Sequence, residues 1–155
     1  MSGPVTLLGF DVGARRIGVA VGNTVSGSAS EVGVLDVHAG GPDWPRLDRW
    51  MRDWRPDALV VGDPVPADGG DQPARQRARA FARELARRYA LPVQQVDEAR
   101  SSIEAAQRFA AGRAAGARKR SQADQLDAVA AVVILERWLA NPETRTPFEP
   151  GPPSP

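Results

Sequence analysis

The first third of the chain alternates short apolar runs with turn residues, a pattern that predicts three β-strands. Residues 5–11 form an apolar run that ends in an acid, and residues 17–22 follow after a short turn containing Gly13. Residues 31–37 form a third run of the same kind. Because consecutive strands joined by short turns pair with each other, we expect an antiparallel meander.

Helical periodicity first appears after this meander. Residues 43–54 begin with Asp43, carry apolar residues three and four apart, and stop before Pro56, which is typical of an amphipathic helix. A run of four apolar residues and a glycine, residues 58–62, then predicts a buried strand. Two further elements follow, a helix that begins near Pro73 and a short strand at residues 92–98.

The remainder of the chain is predicted to be mainly helical. Ser101 and Glu104 form a capping box that opens a helix through about residue 111. Residues 112–121 form a basic linker, and residues 122–140 form a helix too apolar for a surface position, so we expect it in the core. Residues 141–155 contain six prolines and no periodic pattern, which predicts a disordered tail.

These elements together predict one α/β domain at residues 1–140, with the tail at residues 141–155. We expect a mixed five-stranded sheet, in which a three-strand antiparallel meander precedes alternating helices and strands. The order resembles that of the ribonuclease H-like (RuvC-like) fold.

Composition restricts the chemistry that such a domain can perform. The chain has no cysteine and one histidine, so any bound metal must be held by oxygen ligands, which Mg²⁺ and Mn²⁺ prefer. The sequence shows no export signal and no apolar run long enough for a membrane span, so we expect a soluble, cytoplasmic protein with no membrane partner.

Three acids occupy positions where such a sheet would gather functional groups. Asp11 ends the first strand, Glu98 ends the last predicted strand, and Asp127 lies near the start of the apolar helix. Carboxylates in apolar surroundings are costly unless a cation compensates them, so their convergence would indicate a metal site. Taken singly, each acid also fits a structural role, as a turn former, a surface residue or a helix N-terminal acid.

Four segments in the same order carry a resemblance to a known family. They are residues 10–20 (FDVGARRIGVA), residues 60–64 (VVGDP) with Asp68-Gly69, Asp97-Glu98, and residues 127–135 (DAVAAVVIL). Together they resemble the YqgF (RuvX) family. Members of this family are similar to the RuvC Holliday-junction resolvases and are associated with 5′-end maturation of pre-16S ribosomal RNA. The resemblance implies a metal-dependent nuclease acting on RNA, within ribosomal subunit precursors, or on branched DNA.

The resemblance also assigns roles to individual residues. It makes Asp11, Glu98 and Asp127 catalytic ligands of Mg²⁺ or Mn²⁺, and it makes Arg16 a phosphate contact. Two such ions about 4 Å apart would activate a water and stabilise the leaving oxygen. Asp124, three residues before Asp127, is either a fourth ligand or a helix cap.

The sequence departs from the family pattern close to these acids. The arginine that usually follows the strand-end acids directly is displaced by one position, to Arg100 behind Ala99, and the frequent Gly-Lys before the last aspartate is Asp124-Gln125. Asp63 replaces the usual apolar residue after Val-Val-Gly. We expect these changes to weaken the grip on phosphate and to add possible ligands.

Basic residues, Arg100 among them, are the remaining candidates for nucleic-acid contact. The linker carries Arg113, Arg118, Lys119 and Arg120, which would flank Asp127 and contact a phosphate backbone; a solvated linker is the alternative. Arginines four apart in the second helix, beginning with Arg75, are interpreted as a solvated face. A GC-rich genome would equally produce the arginine bias, so the bias alone decides nothing.

Three rival functions stay open at this level. Asp11-Val12-Gly13 with Gly18 also resembles the phosphate hairpin of actin-like and sugar-kinase phosphotransferases, although those duplicate the fold. A non-catalytic module that binds RNA or a transcription factor would retain the acids as a structural cluster. A DNA junction resolvase would differ in substrate, and the oligomeric state is not set by the sequence.

Overall fold

A computed structural model describes residues 5–64, 72–97, 122–140 and 145–147. Within these residues seven strands form one mixed sheet in the order β4-β3-β2-β1-β5-β6-β7. The strands are β1 (Thr6–Val12), β2 (Arg16–Asn23), β3 (Ser28–His38), β4 (Gly41–Pro42), β5 (Ala58–Asp63), β6 (Val93–Asp97) and β7 (Arg145–Pro147). Three described helices accompany them: α1 (Trp44–Trp54), α2 (Gln72–Tyr89) and α3 (Gln122–Ala140).

The predicted meander and the parallel half of the sheet are confirmed. β1 pairs antiparallel with β2, and β2 with β3, whereas β1 pairs parallel with β5, and β5 with β6. The chain reaches β5 through α1 and reaches β6 through α2, as parallel neighbours require helical crossovers. The α/β class and the mixed sheet are therefore as the periodicity predicted.

The strand count is the correction to the predicted five-stranded sheet. β4 and β7 have two and three residues and extend the two edges of the sheet by antiparallel pairing with β3 and β6. Runs this short carry no periodicity, so they become strands only because they pair with an existing edge strand. β7 also lies inside the segment for which we expected a disordered tail, so that expectation does not hold at residues 145–147.

Alternation along the central strands divides the core into two layers. Leu8 and Phe10 of β1 contact a cluster that includes Leu47 of α1 and Phe81 of α2. Leu7 contacts the other cluster, which includes Leu135 of α3. α1 and α2 therefore cover one face of the sheet, and α3 covers the opposite face.

The ends of α1 follow the signals in the sequence. The Asp43 side chain accepts a hydrogen bond of 3.2 Å from the backbone N–H of Arg46, which caps the N-terminus. Arg55 adopts a left-handed conformation (φ 47°), and its N–H donates to the carbonyl of Met51. Pro56 cannot extend the ladder, so the predicted start and stop of this helix are both confirmed.

α3 is a core helix, as its composition predicted. Its residues from Ala128 to Leu135 are all buried. None of the described helices combines the length and apolar composition that a membrane span requires. The predicted helix at residues 101–111 and the linker at residues 112–121 lie outside the described residues.

Candidate active site

Two glycines allow α3 to lie directly on the backbone of the central strands. A Cβ at Gly18 of β2 would lie 1.9 Å from the carbonyl oxygen of Asp127, and one at Gly9 of β1 would lie 2.4 Å from Cγ of Leu135. A larger residue at Gly18 would force the helix backbone away from the sheet, and one at Gly9 would displace the Leu135 side chain. Gly18 therefore fixes how closely the start of α3 approaches β2.

The same contact brings Asp127 near Asp11. Asp11 is the cross-strand partner of Gly18, and opposed residues of an antiparallel pair lie about 5 Å apart at Cα with side chains on one face. Gly9, two residues before Asp11, faces α3, so alternation places the Asp11 side chain on the α3 face as well. Two of the three predicted catalytic acids thus lie on one face at one end of the sheet.

Arg16 forms an ion pair with one of these acids, Asp127. Its Nε donates a hydrogen bond of 2.8 Å to Oδ2 of Asp127, and the two side chains are 35% and 27% exposed. Arg16 opens β2 and Asp127 lies in the second turn of α3, so the pair connects the sheet to the helix. The residue predicted to contact phosphate is here the ion-pair partner of a predicted metal ligand.

The donor chemistry of the site fits a hard divalent cation. Asp11 and Asp127 offer carboxylate oxygens, the ligands that Mg²⁺ and Mn²⁺ prefer, and the guanidinium of Arg16 already compensates the charge of Asp127. In the described part of the chain no three acids or histidines come together as a metal-binding group. The third predicted acid, Glu98, lies beyond the described ranges.

Several predicted site residues lie outside the described ranges. Glu98, which follows the last residue of β6, lies outside the described residues, as do Arg100, Arg113, Arg118, Lys119 and Arg120. The backbone of Asp124 lies in the first turn of α3, but its side chain is outside the description. Their roles as ligands and phosphate contacts stay predictions.

Asp63 does not belong to this site, contrary to the expectation that it adds a ligand there. In β5, Val60 packs in the α3 layer and Val61 in the α1–α2 layer, so alternation turns Asp63 toward α1 and α2. There its two carboxylate oxygens accept hydrogen bonds of 3.1 and 3.3 Å from Nε and an Nη of Arg75. The replacement of an apolar residue is matched by an ion pair on the opposite face.

The same pair corrects the interpretation of the arginines in α2 as a solvated face. Arg75 is partly buried against Asp63, whereas Arg79 and Arg83 are exposed as predicted. Sequence reasoning missed the pair because helical spacing shows that Arg75, Arg79 and Arg83 share a side but not which of them meets a strand end. The acid at an otherwise apolar strand position was the available signal, since a buried carboxylate requires a cationic partner.

Comparison with known proteins decides the family. A sequence model of the RuvX family, described as Holliday junction resolvase, matches residues 5–141, which include the whole described site. The chain belongs to the RuvX family.

Individual relatives agree with this assignment. Proteins of Xanthomonas campestris and Xanthomonas oryzae, both named "Putative pre-16S rRNA nuclease", are 62% and 61% identical over 141 residues, which is 91% of this RuvX chain and 91% of each relative. Among solved structures, Thermus thermophilus RuvC in complex with a Holliday junction substrate matches with a TM-score of 0.56 at 17% identity, over 92% of this chain and 99% of that one. This likeness shows that the RuvX chain has the RuvC-like fold predicted from its element order.

Proposed function

We propose that this RuvX chain is a divalent-metal-dependent nuclease that hydrolyses phosphodiester bonds. The observation that carries the proposal is the contact between Gly18 and the Asp127 carbonyl, which brings the start of α3 beside Asp11 on one face of the sheet. The family match and the names of the relatives agree with this reaction class. The family match gives no support to the alternative of a phosphotransferase.

The carboxylates serve to hold cations against the scissile phosphate. Asp11 and Asp127, with Glu98 as the third acid and Asp124 as a possible fourth, would bind Mg²⁺ or Mn²⁺. When bound, a pair of such ions would supply activation of a water and stabilise the negative charge on the phosphoryl oxygens and on the leaving oxygen. The water oxygen forms the new bond to phosphorus as one ester bond breaks, and the leaving oxygen takes up a proton.

Arg16 would have two successive partners in this reaction. While the cation site is empty its Nε neutralises Asp127. If Asp127 held a cation, the guanidinium of Arg16 would be released to meet a phosphate oxygen, since its planar fork suits phosphate as well as carboxylate. The phosphate contact predicted for Arg16 is thereby compatible with the observed ion pair.

The proposed substrate is RNA that carries the 5′ extension of pre-16S ribosomal RNA. The Xanthomonas relatives, at 62% and 61% identity, are named for this substrate. A substrate of this kind occurs in ribosomal subunit precursors, so we place the activity in the cytoplasm.

The test is cleavage of a labelled RNA with this 5′ extension in Mg²⁺, Mn²⁺ or EDTA. Asp11→Asn keeps the shape of the side chain but removes its charge, so it should abolish metal-dependent cleavage. Glu31→Gln, which removes an exposed carboxylate from β3, is the matched control and should cleave like the wild type. Equal cleavage by wild type and Asp11→Asn would exclude the assigned site.

A second candidate, resolution of a four-way DNA junction, is favoured by the description of the family model. A labelled junction in the same assay separates the two substrates. If neither RNA nor junction is cleaved in either metal, and Mn²⁺ does not bind at millimolar concentration, the non-catalytic binding module becomes the better account.

A further inference from the structure

Arginines dominate the outer surface of α1 and α2, on the sheet face opposite the carboxylate site. We call the exposed arginines of these two helices the arginine face: Arg46, Arg49, Arg52, Arg77, Arg79, Arg83, Arg87 and Arg88. Both helices pack on the same side of the sheet, so these side chains belong to one layer of the protein.

The net charge of the chain does not show how positive this layer is. Residues 44–54 and 72–89, in which Arg75 is paired with Asp63 of β5, together carry nine arginines and three carboxylates, a formal charge of +6, whereas the whole chain carries +1. The rest of the chain therefore carries −5. A protein that is nearly neutral overall thus presents one strongly positive layer, and a local field of this kind attracts polyanions.

The two helices are fixed to each other, so the arginines have a defined spacing. The rings of Trp44 and Phe81 stack at 5.6 Å, and the hydroxyl of Tyr89 donates a hydrogen bond of 2.5 Å to Asp48. The guanidinium of Arg88 lies 4.3 Å from the centre of the Trp44 ring. Arg88 also forms a side-chain hydrogen bond with Tyr89. Stacking of this kind orders a guanidinium, which lowers the entropic cost of binding phosphate with its remaining N–H groups.

We propose that the arginine face binds the phosphate backbone of a second segment of the nucleic acid whose other segment is cleaved at Asp11 and Asp127. The inference rests on the proposed function for its choice of a nucleic acid as partner. Arg77 lines a pocket with Val12 and Gly13, next to Asp11. The other arginines of the face are separated from the carboxylate site by a sheet and one helical layer, roughly 20 Å, so a single short strand cannot occupy both. The second contact selects long, folded substrates over short ones.

The chemistry of the face suits phosphate better than a membrane surface. Of the described large apolar residues, only Val25 and Trp54 are exposed, and just Trp54 lies on these helices. A membrane-surface helix needs an apolar stripe to insert among lipids, and this layer uses its apolar stripe in the core. Arginine forks, in contrast, bind phosphate oxygens in a bidentate way.

The test compares three protein variants for binding to a long RNA hairpin in EDTA, where cleavage does not interfere. Arg49→Gln/Arg79→Gln/Arg83→Gln removes three charges from exposed helix positions at little cost in helix propensity. The matched control replaces the same three residues with Lys, which keeps the charge. Asp53→Asn, which removes a negative charge from the same layer, should act in the opposite direction.

We expect the Gln variant to bind the hairpin on the order of tenfold more weakly and the slope of log K against log salt to fall by about 2 to 3. The Lys variant should keep the wild-type slope, and all variants should cleave a short single-stranded RNA at the wild-type kcat. An unchanged slope in the Gln variant would overturn the proposal. Tight binding of polyglutamate that depends on these arginines, with no effect on RNA, would also overturn it and assign the face to an acidic protein.

The two proposals fail separately. A wild-type protein that cleaves nothing but shows the charge-dependent slope would retain the arginine face and reject the nuclease. A protein that cleaves RNA in the presence of Mg²⁺ or Mn²⁺ but shows the same salt slope in every variant would retain the nuclease and reject the arginine face.

Discussion

Nε of Arg16 lies 2.8 Å from Oδ2 of Asp127, a residue 111 positions further along the chain. The ion pair joins the first residue of β2 to the second turn of α3, at the end of the sheet where Asp11 also lies. If Asp127 binds a cation, as proposed, its guanidinium partner would compete with that cation. Occupancy of the site would then be coupled to the position of Arg16.

Replacing Arg16 with Gln should strengthen cation binding while weakening catalysis. A partly exposed ion pair contributes up to about 1 kcal/mol, so its loss should tighten Mn²⁺ binding by about two- to fivefold. Isothermal titration calorimetry measures this affinity, and the RNA cleavage assay should show a lower rate in the same variant. Arg15→Gln, an exposed neighbour, should leave the Mn²⁺ affinity unchanged; equal or weaker Mn²⁺ binding by Arg16→Gln would contradict the competition.

Gly18→Ala should displace α3. The added Cβ would overlap the Asp127 carbonyl at 1.9 Å, and backbone on both sides leaves no flexible side chain to move aside. We expect a loss of about 1 to 3 kcal/mol in the free energy of unfolding, as for an overpacked core, together with weaker Mn²⁺ binding. Urea unfolding measures the first effect. Gly40→Ala has nothing within 4 Å of its new Cβ and serves as the control, so similar losses in both variants would refute the close approach.

Asp63→Asn should affect stability and leave the carboxylate site intact. The carboxylate is buried and paired with Arg75, so removing its charge should cost about 1 to 3 kcal/mol of unfolding free energy. Because the pair lies on the α1–α2 face, Mn²⁺ affinity should not change. A double-mutant cycle with Arg75→Gln isolates the coupling, and strictly additive losses would show that the two residues do not interact.

Ionisation of Tyr89 should lower the free energy of unfolding at alkaline pH. Burial, and then its hydrogen bond to Asp48, raise the pKa of the phenol above its ordinary value of 10. Because the folded pKa exceeds the unfolded one, the protonated phenol stabilises the fold fully below about pH 10, and this contribution is lost as pH rises through the folded pKa.

The chain has one tyrosine, so near-ultraviolet absorbance of tyrosinate reports this group alone. The native protein should titrate at higher pH than the urea-unfolded protein. Tyr89→Phe should remove this part of the alkaline loss of stability, and coincident titration of native and unfolded chains would disprove the shift.

The sequence by itself determined the order of the elements and the positions of the acids on them. Strand alternation, helical spacing, the Asp43 cap and the Pro56 stop are local signals, so the meander, α1 and the apolar helix α3 were predicted with nearly their observed bounds. The motif around Asp11 and Asp127 also indicated the family that the comparisons confirm.

Only the tertiary structure decided which of these residues meet. The short edge strands β4 and β7 exist because longer strands offer them a partner. Arg16 met Asp127 instead of remaining free for phosphate, and Asp63 turned away from the site toward Arg75, because sheet register and helix packing join residues that no local pattern relates. The positive layer of α1 and α2 likewise exists because both helices cover the same face of the sheet. The sequence predicts each helix from its own periodicity but not that the two lie on one face.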